Sequence, residues 1–243
     1  MNVLLLSDIH SNLAALEAVV GDADAKFDIA ETWVLGDLVG YGPSPAETLS
    51  LLSSIGAVAV ADNHDLAVAG VISAEAFNPV AAAAVSWTQS VLSNEHLDQL
   101  RELPARLERH GITLVHGSPR DPVWEYVMNE GVAAQALDDV DTTGLAVGHT
   151  HVPVIFRQLS GEFEWIQSAS SRPRSVAGSK FLVNPGSVGQ PRDHDPRASY
   201  AVLDLDAETV THRRVEYDHE LTASKIREAG LPAFLADRLR VGV

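Results

Sequence analysis

Apolar positions in this chain come in short continuous runs, and the runs end in residues able to bind metal or move protons. The first is Asn2-Val-Leu-Leu-Leu-Ser-Asp-Ile-His10. Glu31-Thr-Trp-Val-Leu-Gly-Asp37, Ala57-Val-Ala-Val-Ala-Asp-Asn-His64, Gly111-Ile-Thr-Leu-Val-His116 and Gly144-Leu-Ala-Val-Gly-His-Thr-His151 follow. Runs of this length fit strands covered on both faces. Between them the apolar spacing changes to threes and fours. Asn12 caps a predicted helix whose stripe is Leu13, Leu16, Val19 and Val20. Residues 45–54 predict a second helix stopped near Gly56, and the Ala-rich stretch 79–92 a third. Residues 95–103 and 132–137 carry weaker helical patterns. Strand–helix alternation predicts a largely parallel, layered α/β sheet.

After His151 the pattern shifts to strand-like runs at 154–159, 163–168, 180–184, 199–205 and 210–217. Turn residues join them: Gly161, Pro185-Gly186 and Asp206-Ala207. These predict antiparallel hairpins that form a second sheet of their own. From Glu220 onward, Leu221, Ile226, Leu231, Leu235 and Leu239 predict an amphipathic tail helix. With no low-complexity linker and no internal repeat, residues 1–243 read as one domain.

Composition narrows the chemistry. The chain has no cysteine, so disulfides, iron–sulfur clusters and thiolate zinc sites are excluded. Any metal must sit on His, Asp, Glu, Asn or backbone oxygen, a donor set suited to Mn, Fe, Zn or Mg, with imidazole favouring the transition metals. The net charge of −16 provides no basic footprint for long nucleic acid, so an anionic substrate must be drawn locally by metal or arginine. No apolar run reaches the length of a membrane span, and the apolar start lacks a basic leader. A cytoplasmic location without membrane association is expected.

In open α/β sheets, ligands bind beyond the carboxyl ends of the strands. Those ends carry Asp8, His10, Asp37, Asn63, His64, His116, His149 and His151. A lone histidine at a strand end is usually structural; five ends carrying ligand-type groups point to a metal site. Asp8 and His10, like His149 and His151, are two apart, which in extended chain aims both at one side. A carboxylate such as Asp37 can bridge two cations about 3.5–4 Å apart, which clamp a phosphoryl group and acidify a water to a pKa near 7, making hydroxide the nucleophile.

The joint order Asp8-x-His10, Gly36-Asp37, Asn63-His64-Asp65, His116 and Gly148-His-x-His151 resembles the calcineurin-like metallophosphoesterase superfamily. Asp8-Ile-His-Ser-Asn-Leu, Gly36-Asp-Leu-Val-Gly-Tyr-Gly-Pro43 and Asn184-Pro-Gly-Ser-Val-Gly-Gln-Pro-Arg192 resemble its small bacterial and archaeal branch, and extend the likeness over nearly the whole chain. The resemblance implies a four-layer α/β/β/α sandwich with two facing mixed β-sheets. It implies two divalent metal ions, Mn or Fe favoured, with Asp8, His10 and His151 on the first. Asn63, His116 and His149 would take the second, and Asp37 would bridge. His64 would be catalytic, touching the phosphate or protonating the leaving oxygen.

Two positions depart from the pattern. Relatives often carry Gly before the Asn-His pair; here Asp62 stands there, a residue that tolerates left-handed backbone. Many relatives place a second aspartate three residues after the Gly-Asp aspartate to orient the histidine; here that position is Gly40. Another group must then orient His64. Gly40-Tyr41-Gly42 reads either as part of the substrate mouth or as a plain turn.

Asn184 and Arg192 are candidate substrate contacts on a loop that alternatively is only a turn; the Arg fork suits phosphate oxygens. His96, His110, His212 and His219 fall off the strand-end pattern and are expected at the surface, whereas Trp33, Trp87, Trp124 and Trp165 are expected in the core or at its rim. The expected activity is hydrolysis of a small phosphodiester or a dinucleoside polyphosphate. A Ser/Thr protein phosphatase and a non-catalytic metal-binding scaffold are the alternatives.

Overall fold

The computed structural model describes residues 1–167 and 171–243. Its strands, in chain order, are β1 (Asn2–Leu6), β2 (Ile29–Val34), β3 (Val58–Ala59), β4 (Arg106–Arg109), β5 (Ile112–Val115) and β6 (Gly144–Ala146). They continue as β7 (Val154–Leu159), β8 (Glu162–Gln167), β9 (Arg174–Ser175), β10 (Lys180–Asn184), β11 (Ala198–Asp204) and β12 (Thr209–Val215). The helices are α1 (Leu13–Lys26), α2 (Pro45–Ser54), α3 (Asn63–Val68), α4 (Pro79–Val91), α5 (Asn94–Arg101), α6 (Glu130–Asp138), α7 (His219–Glu228) and α8 (Ala233–Asp237). The run expected over 163–168 ends at Ser168, which lies outside the described residues.

Among the described residues the strands form two six-stranded mixed sheets, ordered β3-β2-β1-β11-β12-β9 and β4-β5-β6-β10-β7-β8. β1 runs parallel to β2 and antiparallel to β11; β6 runs parallel to both β5 and β10. The expected separate sheet of C-terminal hairpins is therefore corrected. The later strands divide: β11 and β12 widen the first sheet, while β7, β8 and β10 widen the second. The hairpin patterning was sound, but period-two alternation does not say which open edge a strand joins.

That alternation does build the layers. On β1, Val3 and Leu5 face the second sheet, meeting Leu114, Ile155, Phe181 and Val183. Leu4 and Leu6 face outward onto Leu16 and Val19 of α1 and Leu49 and Leu52 of α2. On the far side, Leu145, Phe156 and Leu182 pack under Ala133, Ala136 and Leu137 of α6. The order is helix, sheet, sheet, helix, the expected four-layer sandwich. Each fully buried leucine here contributes roughly 1.5–3 kcal/mol by leaving water.

Asn12 caps α1 as expected, its Oδ1 accepting Ala15 N–H. α2 matches its expected bounds. The single amphipathic tail helix is corrected: Gly230 at φ 72° and Pro232 break it into α7 and α8. The break lets Ile226, Leu235 and Leu239 pack together against α4 and Tyr41. β4 has no apolar signature; its Arg-Leu-Glu-Arg sequence suits a charged edge strand that discourages further pairing.

Candidate metal centre and cleft

The ligand-type residues meet on the loops that follow β1, β2, β5 and β6 and on the first turn of α3. They do not do so in extended chain, as the two-residue spacing suggested. Asp8, His10, Asp37, His149 and His151 all have φ between 50° and 66°. Left-handed backbone costs a non-glycine residue roughly 1–2 kcal/mol, so each must be held. Asp8 N–H donates to Gly36 O at 3.1 Å and His10 N–H to Asp37 O at 2.9 Å, stitching the β1 loop to the β2 loop. Gly189 N–H donates to Asp8 O at 3.0 Å, and Gly148 N–H to His116 O at 2.8 Å. A methyl group on Gly189 would lie 1.8 Å from Ile9 O, so only glycine lets this loop approach so closely.

Asn63 and His64 are also placed differently from the expectation. β3 is two residues long, and both side chains project from the first turn of α3. Asp62 is the N-cap of that helix. Its φ of −141° is extended, so the left-handed rationale for aspartate is corrected. Its Oδ1 accepts Asp65 N–H at 2.9 Å, and its Oδ2 accepts the backbone N–H of Asp37. Asp65 in turn accepts Val39 N–H at 3.0 Å and Leu38 N–H at 3.2 Å. Two buried carboxylates thus lock the Asp37 loop to α3. Asp62 and Asp65, at N-cap and N3, were legible as a capping pattern but not as clamps on a distant loop.

Every expected ligand is buried. One oxygen or nitrogen each from Asp8, His10, Asp37 and His151 lies within 4.8 Å of the others, and Asp37, His116 and His149 form a second such group. Asp37 belongs to both. Its Oδ2 is 3.2 Å from His10 Nε2 and 3.5 Å from His116 Nε2. The outer nitrogens are fixed by carbonyls: His116 Nδ1 by Leu35 O at 2.6 Å, His151 Nδ1 by Gln190 O at 2.6 Å and His10 Nδ1 by Val39 O at 3.3 Å. Each of these rings therefore turns its Nε2 inward, toward the Asp8 and Asp37 carboxylates, the arrangement metal-binding imidazoles adopt.

The donor set fits divalent cations. Asp8 Oδ1 and Oδ2, Asp37 Oδ1, Asn63 Oδ1 and His149 Nε2 are buried without a hydrogen-bond partner. Orphaned oxygens of this number are costly unless a cation satisfies them. Burial, then the neighbouring Asp62 charge, pushes Asp37 well above the usual carboxylate range; burial also raises Asp8. Burial lowers His10 and His151, and takes His149 to about 2, so these imidazoles are neutral and free to coordinate.

His64 lines a cavity of about 150 Å³ together with Asp37, Asn63, His149, His151 and Arg192. Burial takes it to about 3, and its Nδ1 has no partner. Rings orient it in place of a carboxylate: Tyr41 at 4.4 Å, Phe77 at 4.9 Å and His10 at 5.1 Å between centroids. Tyr41 of the Gly40-Tyr41-Gly42 stretch is buried and lines this cavity.

Arg192 reaches the cavity, anchored by Gln190 Oε1 at 2.9 Å, with its Nε buried and unpartnered. Asn184 does not. Its Nδ2 donates to Gly148 O at 2.7 Å and to Thr150 Oγ1 at 3.0 Å, so it braces the loop carrying His149 from behind. His212 is buried rather than exposed; its Nε2 lies 2.8 Å from Asn184 O.

A sandwich of two mixed sheets with a buried His/Asp cluster at one end defines a metal-dependent phosphoesterase, and the family model for the calcineurin-like phosphoesterase superfamily domain matches residues 1–208. The chain belongs to this superfamily and is a phosphoesterase. It is similar, at 36% identity over 247 residues, to an uncharacterized protein of Methanocaldococcus jannaschii, covering 99% of this chain and 98% of that one. It is also similar to the crystal structure of a metallophosphoesterase from Sphaerobacter thermophilus, with 45% identity, a TM-score of 0.90 and 100% of both chains covered. A symmetrical bis(5'-nucleosyl)-tetraphosphatase of Vibrio cholerae is 29% identical over 144 residues, 57% of this chain and half of that protein. Among the described residues no helix is long and apolar enough to cross a membrane.

Proposed function

We propose that the protein hydrolyses small phosphodiesters or dinucleoside polyphosphates at a centre of two divalent metal ions. Asp8, His10 and His151 hold one, Asn63, His116 and His149 the other, and Asp37 serves both. The membership of Asp37 in both ligand groups carries this reading. The imidazole-rich, thiolate-free set favours Mn or Fe. When bound, such ions polarise phosphoryl oxygens and lower the pKa of water toward neutrality.

The chain's own residues supply the rest. Arg192 presents a guanidinium with a free Nε to the cavity and draws in the anionic substrate, which an acidic protein otherwise repels. His64 is neutral in the free protein, so it acts as an N–H donor to a phosphoryl or leaving oxygen rather than as a stored proton. Asn184 keeps His149 in its left-handed loop. The tetraphosphatase likeness supports nucleotide-containing anhydrides among the substrates.

The test is metal analysis combined with a panel of monoesters, bis esters and dinucleoside tetraphosphates, each with Mn, Fe, Zn and Mg. Expected are about two metals per chain and activity on esters or anhydrides with two substituents. Protein that binds no metal and is inert on the whole panel overturns the reading; one metal per chain overturns the shared role of Asp37.

A further inference from the structure

We propose that Trp124, together with Phe77 and Tyr126, is a stacking platform at the cavity mouth that takes a nucleobase of the substrate. The proposal rests on the phosphoester reading above and specifies what lies beside the phosphoryl group. A continuous series of rings leads outward from the centre. Tyr41 and His64 are 4.4 Å apart, His64 and Phe77 4.9 Å, and Phe77 and Trp124 5.4 Å. In the same cavity Tyr126 stacks on His149, with centroids 3.8 Å apart and planes inclined by 21°. The inner rings are buried and the outer ones are not: His64 is 3% exposed, whereas Trp124 is 38% and Tyr126 45% exposed.

A partly bare indole and phenol from the stretch before α6 converge with Phe77 from the turn before α4. Arg192 lines the same cavity and fixes the phosphoryl end. The cavity, about 150 Å³, is lined by Phe77, Trp124 and Tyr126 as well as by Arg192, so a substituent on a phosphoryl group held at Arg192 lies beside these rings. A flat, weakly polar group gains most there, because aromatic faces stack with bases of any sequence. A small alkyl ester has nothing to offer the indole.

The experiment compares two diesters with one leaving group: the p-nitrophenyl ester of thymidine 5'-monophosphate and methyl p-nitrophenyl phosphate. It is run on the full chain with Mn, for wild type, Trp124→Ala and Trp124→Phe. Expected is a wild-type preference for the nucleosyl ester that shrinks about tenfold in Trp124→Ala, chiefly through KM, and is largely restored in Trp124→Phe. In parallel, calorimetric titration with thymidine 5'-monophosphate and with methyl phosphate reads the same preference without turnover. Equal losses on both esters, or equal affinity for both phosphates in wild type, overturn the platform. Protein inert on every ester that still prefers the nucleotide in titration overturns hydrolysis while the platform stands.

Discussion

Gly40 lies against the ring of His64 so closely that a methyl group on it would sit 2.8 Å from His64 Nδ1. Its φ is +85°, a backbone region that side chains rarely adopt. The position three residues after Asp37 is here a gap kept open for the imidazole. Gly40→Ala is expected to tilt His64 and lower kcat/KM by ten- to about a hundredfold, the usual consequence of a misplacement near 1 Å. Gly40→Asp is expected to do worse, not better. Steady-state kinetics on a bis ester decides, and wild-type turnover in either variant would sink the idea that the gap serves the ring.

His64→Ala is expected to lower turnover about a hundredfold or more while metal content stays near wild type. If His64 donates to a phosphoryl oxygen, the loss should be similar for good and poor leaving groups. A loss concentrated on poor leaving groups would instead place His64 on the leaving oxygen. The measurement is a leaving-group series with metal analysis of the same samples.

Asp62 ties α3 to the Asp37 loop through two buried acceptor contacts. Asp62→Ala removes a helix cap worth about 1 kcal/mol and strands the buried Asp37 N–H, which costs about 1–3 kcal/mol more. Urea denaturation should show a loss of roughly 2–4 kcal/mol by the same sums, with weaker metal retention. Asp62→Asn keeps one acceptor and should lose less. An alanine variant as stable as the parent would refute the clamp.

His212 offers a pH-dependent signature away from the cleft. Burial lowers it to about 4, against 6.5 when unfolded. The folded state therefore holds its proton more weakly than the unfolded one. Its contribution is complete above pH 6.5, declines as pH falls toward 4, and is flat below. The slope across that window is up to about 1.4 kcal/mol per pH unit. His212→Gln keeps a donor for Asn184 O, so the difference between wild-type and variant stability should shrink across pH 6.5 to 4. An unchanged difference contradicts the assignment.

Most strands, most helices and the ligand types were legible because each rests on local periodicity or on residue chemistry; β4 and β9, which carry no apolar run, were not. Pairing was not. Nothing in Ser199 to Leu203 tells that this run pairs with β1 as well as with its hairpin neighbour β12. The reach of Asp62 to Asp37, 25 residues away, and the support of His64 by rings in place of a carboxylate are likewise properties of assembled space. Asn184 illustrates the reverse. Its residue type suits substrate, yet its contacts hold a loop.

The insertion of β10 between β6 and β7, and of β11 beside β1, has a consequence for where the chain can be divided. Residues up to His151 contain every proposed metal-binding side chain, yet as a fragment they would leave the inner edges of both sheets bare. A motif that looks portable in one dimension is thus closed only by strands translated later. Grafting it elsewhere, or expressing it alone, should yield sticky, unpaired edges instead of an enzyme.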